Sequence, residues 1–293
     1  PGDAPRDVWL AARKHGIGAS DVAAIIGVSP YQGPLHVWLE KTGQLVWEGN
    51  AATKWGSRFE DDVLEEFIEA HPELAVKPKP GMFAAQDEPW RMVSLDAEAV
   101  DEDGLIVVEI KTGQLRRSGE EWGEPGTDEI PPHYLCQVTW ACDVRQAKRW
   151  RLAFLPLDEL EDYREYEGMF SPDLAASLRA RVGAFRTKHL LTGIEPTADG
   201  LVDTTDILNG RRQSTAMETT QAELPAEALV WRAGYKTNHQ AIAEFEAAKN
   251  EYGNLLRQAL IAANADEGLV NGEVVATWKR SKAGKPTFRV KGV

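Results

Sequence analysis

Residues 92–111 constrain this chain more than any other stretch. Apolar and polar side chains alternate with a period of two through 92–100, break at a turn, and resume over 105–111. Period two is the signature of a strand, and two such runs joined by a few turn residues make an antiparallel hairpin. In the first run Val93, Leu95, Ala97 and Ala99 share one face, which leaves Asp96 and Glu98 on the other. In the second, Ile106, Val108 and Ile110 are the apolar side, so Glu109 and Lys111 share the opposite one. For both apolar faces to meet one core, odd residues of the first strand must lie across from even residues of the second. Two turns satisfy this. A Glu102-Asp103 loop sets Asp96 across from Glu109; an Asp103-Gly104 loop sets Asp96 across from Lys111 and Glu98 across from Glu109. In both registers Asp96, Glu109 and Lys111 converge.

Carboxylates a few ångströms apart repel, and a divalent cation between them relieves the repulsion. An ammonium beside a metal-bound water can orient it or assist its deprotonation. Phosphodiester hydrolysis needs such a nucleophile and a cation to spread the transition-state charge. The alternative is a solvated hairpin face with a cross-strand ion pair. A second feature bears on that choice. A helix over 51–70, at about 100° per residue, gathers Gly56, Glu60, Val63, Leu64 and Phe67 on one face. Glu60 is the acid centred on that apolar stripe, and a buried carboxylate needs a partner, either a cation or a core arginine.

The remaining pattern predicts an α/β (α+β) order. Helices are expected over 9–14, from an N-cap at Ser20 to a stop at Gly27, and over 35–41 before Gly43. After Pro78 and Pro80 come strands near 82–85 and 91–100, the strand at 105–112, and a loop over 113–129. A helix opens at Pro131-Pro132 and runs to about Cys142, a strand covers 148–155, and helical spacing returns over 171–191. The polar, Thr-rich 193–223 stretch reads as a boundary or long excursion. Beyond it Ile242, Phe245, Tyr252 and Leu256 fit a helix, and Asn271-Gly272 is a hairpin turn signal. Three regions are expected: 1–200 as the core, 201–222 as a linker or excursion, and 223–293 as a C-terminal helix and basic hairpin.

Charge and cysteine content narrow the chemistry. The net charge of −13 argues against a nucleic-acid partner on its face. The distribution weakens the objection, because Lys279, Arg280, Lys282, Lys285, Arg289 and Lys291 follow one another with no acid among them. That ribbon, with Trp278 and Phe288, could track a DNA backbone or could simply protect a sheet edge. Cys136 and Cys142 supply neither a disulfide framework nor the four thiolates of an iron–sulfur or zinc site, and His133 with Cys136 lacks further zinc ligands. No apolar run approaches the roughly 18 residues of a membrane span, and the opening PGDAPRDVWL does not resemble a secretory signal, so the expected location is cytoplasmic. No G-x-x-x-x-G-K-[ST] loop occurs, so ATP-driven action is not expected.

Several of these residues recur in a family order. Arg13, Gly16-Ile17-Gly18-Ala19-Ser20-Asp21 through Gly27, Ser29-Pro30-Tyr31, Trp38, Lys41-Thr42-Gly43, Gly56, Glu60, Asp96, Glu109-Ile110-Lys111 and Tyr134 with Gln137-Val138 form that series. It resembles the YqaJ-like viral recombinases, relatives of lambda-type exonuclease with a PD-(D/E)XK nuclease core, over residues 9–155. The resemblance implies a mixed central β-sheet flanked by helices and a metal-dependent 5′-to-3′ exonuclease that leaves 3′ single-stranded tails on duplex DNA. It implies that Asp96, Glu109, the Ile110 carbonyl and Glu60 hold Mg²⁺, with Mn²⁺ able to substitute, and that Lys111 positions the attacking water. Gln137 would contact the site or the scissile phosphate. Arg13 and Ser20 would hold the 5′ phosphate, and a guanidinium beside a capping serine is independently a sound anion site. The family often has Pro before the first acid, where this chain has Leu95. The implied partners are duplex DNA ends, a single-strand annealing protein and further copies of the chain, in a homo-oligomer such as a trimeric ring. A ring with a basic inner surface would let an acidic protein bind DNA. The rival readings are an endonuclease on the same fold and a non-catalytic DNA-end binding module.

Overall fold

The computed structural model describes residues 13–45, 51–115, 122–212, 222–280 and 286–291. The expected helix over 9–14, part of the 113–129 loop, and Lys282 and Lys285 therefore lie wholly or largely outside the described residues. Contacts divide the chain into two units, Pro1–Thr215 and Ala216–Val293.

In the first unit, the helices that lie wholly within the described residues start with α1 (Ala19–Ile25), α2 (Pro34–Lys41) and α3 (Ala51–Ala70). Strands β1 (Ala75–Ala84), β2 (Met92–Asp101) and β3 (Gly104–Gly113) follow, then α4 (Pro132–Arg145), β4 (Arg149–Pro156) and β5 (Arg164–Met169). The unit closes with α5 (Pro172–Phe185), a π turn at Arg186–Leu190, and α6 (Val202–Arg212). The five strands form one sheet in sequence order. Only β3 and β4 are parallel, joined by the α4 crossover, and the other neighbours are antiparallel. This is the mixed sheet with flanking helices that the sequence implies.

Sheet position explains the composition of β3. As the middle strand it is covered on both faces, so Ile106 through Ile110 are buried without interruption, Glu109 included. Ile106, Val108 and Ile110 pack with Ala97 and Ala99 against Val63, Leu64 and Phe67 of α3. Val107, Leu152 and Phe154 belong to the larger cluster with Val22, Val138 and Leu178 of α1, α4 and α5. Strict alternation had placed Val93 and Leu95 with Ala97 and Ala99. Instead Val93 and Leu95 join the larger cluster, so β2 changes packing partner at Asp96.

Three boundaries differ from the sequence pattern for identifiable reasons. β1 starts seven residues earlier than expected, because Pro78 and Pro80 sit on an edge strand and a bulge between Pro78 and Gly81 absorbs them. Lys79 takes φ 43° there. β5 escaped notice because it is an edge strand whose one fully buried side chain is Tyr166. The polar stretch after 193 contains α6, tied to α2 by the buried His36, whose Nδ1 lies 3.0 Å from Asp203 Oδ2.

The second unit contains the 35-residue α7 (Ala228–Ala262) and a three-stranded sheet of β6 (Glu267–Val270), β7 (Glu273–Arg280) and β8 (Pro286–Val290). Asn271 and Gly272 both have positive φ, 53° and 87°, as the two-residue turn requires. Trp278 pairs across the ladder with Phe288, and the Arg257 guanidinium of α7 lies 3.9 Å from the Phe288 ring centroid. These aromatics pack on the helix instead of interleaving with Lys279 and Arg289 on one outward surface.

Candidate active site

The β2–β3 ladder runs from Asp101↔Gly104 to Ala97↔Val108. Glu102-Asp103 is thus the loop, and Asp96 and Glu109 are the next residues along. There the strands part. The Asp96 carboxylate replaces a main-chain acceptor, and Ile110 N–H donates to its Oδ2 at 2.8 Å. The acid is fixed by the strand it faces.

Glu109 is 2% exposed and points toward α4. Its Oε1 accepts from Lys111 Nζ, two residues along the same strand face, and from Gln137 Nε2 of α4. Pro132 in the first turn starts α4, and a left-handed Gln146 ends it, which sets the helix length over β3. Burial and the Asp96 charge push the Glu109 carboxyl up to about 8. Burial opposes the Lys111 charge, but Glu109 and Asp96 outweigh it and hold the ammonium above its ordinary range. The ammonium also lies 5.5 Å from the Tyr134 ring centroid. Glu60 is half-buried on α3, and burial followed by the Asp96 charge raises its carboxyl. Three acids therefore feel one another around one lysine.

The N-terminal residues approach from the other side. Gly16 lies against the start of β2: a Cβ there would meet Met92 Sδ at 2.3 Å and the Trp90 carbonyl at 2.8 Å. Ile17 N–H donates to Trp90 O at 2.7 Å and Met92 N–H to Ile17 O at 2.9 Å, docking the segment on the sheet. Ser20 is not the cap expected from the sequence. Gly18 is the N-cap, with extended backbone, and its N–H donates to Asp21 Oδ2 at 2.8 Å, so the acid three residues on satisfies it. Ser20 is freed to face outward, and its Oγ accepts from Arg13 Nη2 at 3.0 Å.

Sequence reasoning overlooked the role of Asp21. It is 4% exposed and bonded by Lys41 Nζ at 2.6 Å and by Arg13 Nη2 at 3.3 Å. Burial opposes its charge, yet Lys41 and Arg13 bring its carboxyl below the ordinary value. Lys41 Nζ also donates to the Arg13 carbonyl at 3.1 Å. The available signal was an acid at the third helical position after glycine.

Arg13, Ser20, Asp96, Glu109, Lys111 and Gln137 all line one cleft of about 200 Å³. Glu60 and Ile110 are not among its lining residues. The carboxylates are hard oxygen donors of the kind Mg²⁺ takes, and the raised Glu109 and Glu60 mark a charge deficit that a cation would fill. Among the described residues no three His, Cys, Asp or Glu side chains are already grouped closely enough to hold a metal ion, and Glu109 is engaged by Lys111 and Gln137.

Comparison with known proteins bears on the family and the fold. Residues 8–147 match the YqaJ-like viral recombinase domain. The uncharacterized protein YqaJ of Bacillus subtilis (strain 168) is 27% identical over 277 residues, covering 94% of this chain and 83% of that protein. The crystal structure of an alkaline exonuclease, LHK-Exo, from Laribacter hongkongensis superposes with a TM-score of 0.51 at 17% identity, covering 71% of this chain and all of that one. Its complex with dAMP gives the same TM-score at 15% identity. At such identities the likeness is one of fold. Among the described residues no helix is long and apolar enough to cross a membrane.

Proposed function

We propose that the match of residues 8–147 to the YqaJ-like viral recombinase domain reflects membership of that family, and that the protein is a Mg²⁺-dependent deoxyribonuclease that digests duplex DNA 5′ to 3′ and leaves 3′ single-stranded tails. The observation carrying this reading is that the acid–lysine group and the Arg13–Ser20 pair line the same cleft. An exonuclease needs that adjacency, because the end it grips and the bond it cuts are neighbours.

In this reading Asp96, Glu109, the Ile110 carbonyl and Glu60 hold the cation, and Mn²⁺ can replace Mg²⁺. The cation supplies Lewis-acid polarisation of the phosphoryl oxygens and lowers the pKa of water. The chain supplies the rest. The Ile110 N–H keeps Asp96 aimed into the cleft. Gln137 steadies Glu109, and Lys111 orients the attacking water once its ammonium leaves the Glu109 oxygen. The Arg13 guanidinium and the Ser20 hydroxyl, already bonded to each other, take the terminal 5′ phosphate. Asp21 and Lys41 beneath them hold Arg13 in place.

The reading extends to 1–200 as the nuclease core, 201–222 as a linker or an excursion that carries α6, and 223–293 as an appendage. It also includes several copies around DNA, as in a trimeric ring, a single-strand annealing protein that receives the tails, and action in the cytoplasm of a host cell. The test is nucleotide release from a linear duplex bearing 5′ phosphates, with Mg²⁺, against the same duplex closed into a circle. Digestion of the linear form alone is expected. Cutting of the circle would replace this reading with an endonuclease, and inertness toward both would leave a DNA-end binding module.

A further inference from the structure

The first 25 residues of α7 contribute no buried side chain; burial in this helix begins at Gly253 and Leu260, where it meets its own sheet. From Trp231 to Tyr252 the chain advances in alternating steps of four and three residues through Tyr235, Asn238, Ile242, Phe245 and Lys249. Six steps spanning 21 residues give the 3.5-residue period of a coiled-coil seam. The aromatic and aliphatic members of that seam are 57–75% exposed. A helix of this length with an uncovered apolar stripe is marginal in water alone and is stabilised by packing that stripe.

Charge decides the occupant and its direction. A parallel partner of identical sequence would stack Lys249 on Lys249 near the C-terminal end of the seam, where antiparallel pairing separates them. Antiparallel pairing about Gln240 instead layers Lys249 on Trp231, Tyr235 on Phe245 and Asn238 on Ile242, each twice by symmetry. Lysine then lies over an indole face, a favourable contact. The flanking Arg232 comes alongside Glu246 of the other copy, again twice. Every layer of this register falls within 228–252, inside the helix. Four rings of about 150–250 Å² each, with Ile242, offer roughly the 800 Å² per partner of a standard stable interface.

We propose that the exposed stripe of α7 is a self-association surface, on which the α7 helix of a second copy packs antiparallel. This pairing is independent of the nuclease reading and of any assembly made by the first unit.

Sedimentation equilibrium of the full chain over a range of concentrations tests it by charge exchange. Arg232→Glu and Glu246→Arg should each weaken self-association by about tenfold, since each places like charges together twice. The double variant should restore it. Circular dichroism checks that the helix persists, and Phe245→Asp, which removes a central ring, should abolish the pairing. Wild-type chains that do not associate, single variants that associate like wild type, or a double variant that fails to recover would each overturn the proposal. Those results would give the stripe to a different partner or leave assembly to the first unit.

Discussion

Ile110 N–H donates to the Asp96 carboxylate at the first position beyond the β2–β3 ladder. One strand's side chain thereby completes the hydrogen bonding of its neighbour and is held where the two diverge. That opening is what allows Asp96, Glu109 and Lys111 to face a cleft instead of a closed sheet.

Removing the chemistry at that opening should leave the fold intact. Lys111→Ala and Asp96→Ala are expected to lower Mg²⁺-dependent nucleotide release by about a hundredfold or more. Circular dichroism should show the fold retained, and full activity in either variant would remove these residues from the mechanism.

End recognition should separate from catalysis. Arg13→Ala loses a charge-assisted contact worth about 1.5–3 kcal/mol, roughly ten- to a hundredfold. The loss should fall on 5′-phosphorylated ends and hardly on 5′-hydroxyl ends. Kinetics on the two substrates, compared side by side, measure it.

Metal-free stability should depend on pH through Glu109. Its carboxyl titrates near 4.5 when unfolded and at about 8 when folded, so between those values the folded chain holds a proton that the unfolded chain has lost. The associated stability is complete below the lower value and fades as pH rises toward the upper one. Thermal midpoints in a chelator should decline across that window, and Glu109→Gln should flatten the slope.

Much of this site is legible in the sequence because its strands obey period two. The Glu102-Asp103 loop, one of two turns that patterning allows, fixes the register, and no count of apolar residues could choose between them. Glu60 is recognisable as the acid on an apolar helical stripe. Asp21 is less visible, since its partners Arg13 and Lys41 lie 8 residues before and 20 after it and meet only through packing. The change of packing partner at Asp96 is invisible to alternation, which assumes a strand that never departs from its neighbour. β1 and β5 were shortened or missed because edge strands carry few buried side chains and tolerate proline.

The buried Asp21 should prove costly to remove. Asp21→Ala strands Lys41 without its carboxylate and is expected to destabilise the fold by about 3–5 kcal/mol in chemical denaturation. Part of the 5′-phosphate preference should disappear as well, because Arg13 loses one of its anchors.

Gly16→Ala tests the docking of the N-terminal segment on β2. A methyl group there collides with the Trp90 backbone as well as with the Met92 side chain, so relief requires the segment to lift. A loss of about 1–3 kcal/mol is expected, with reduced activity from a displaced Arg13.

The bulge between Pro78 and Gly81 also governs what the sheet can do with neighbours. Two prolines without N–H groups and a left-handed Lys79 interrupt the free rim of β1. On the opposite rim, Gly126 N–H donates to Glu165 O and Glu167 N–H to Thr127 O, so a loop already occupies β5. An amyloid-like template needs a long, regular run of vacant backbone groups, and neither border of this sheet supplies one.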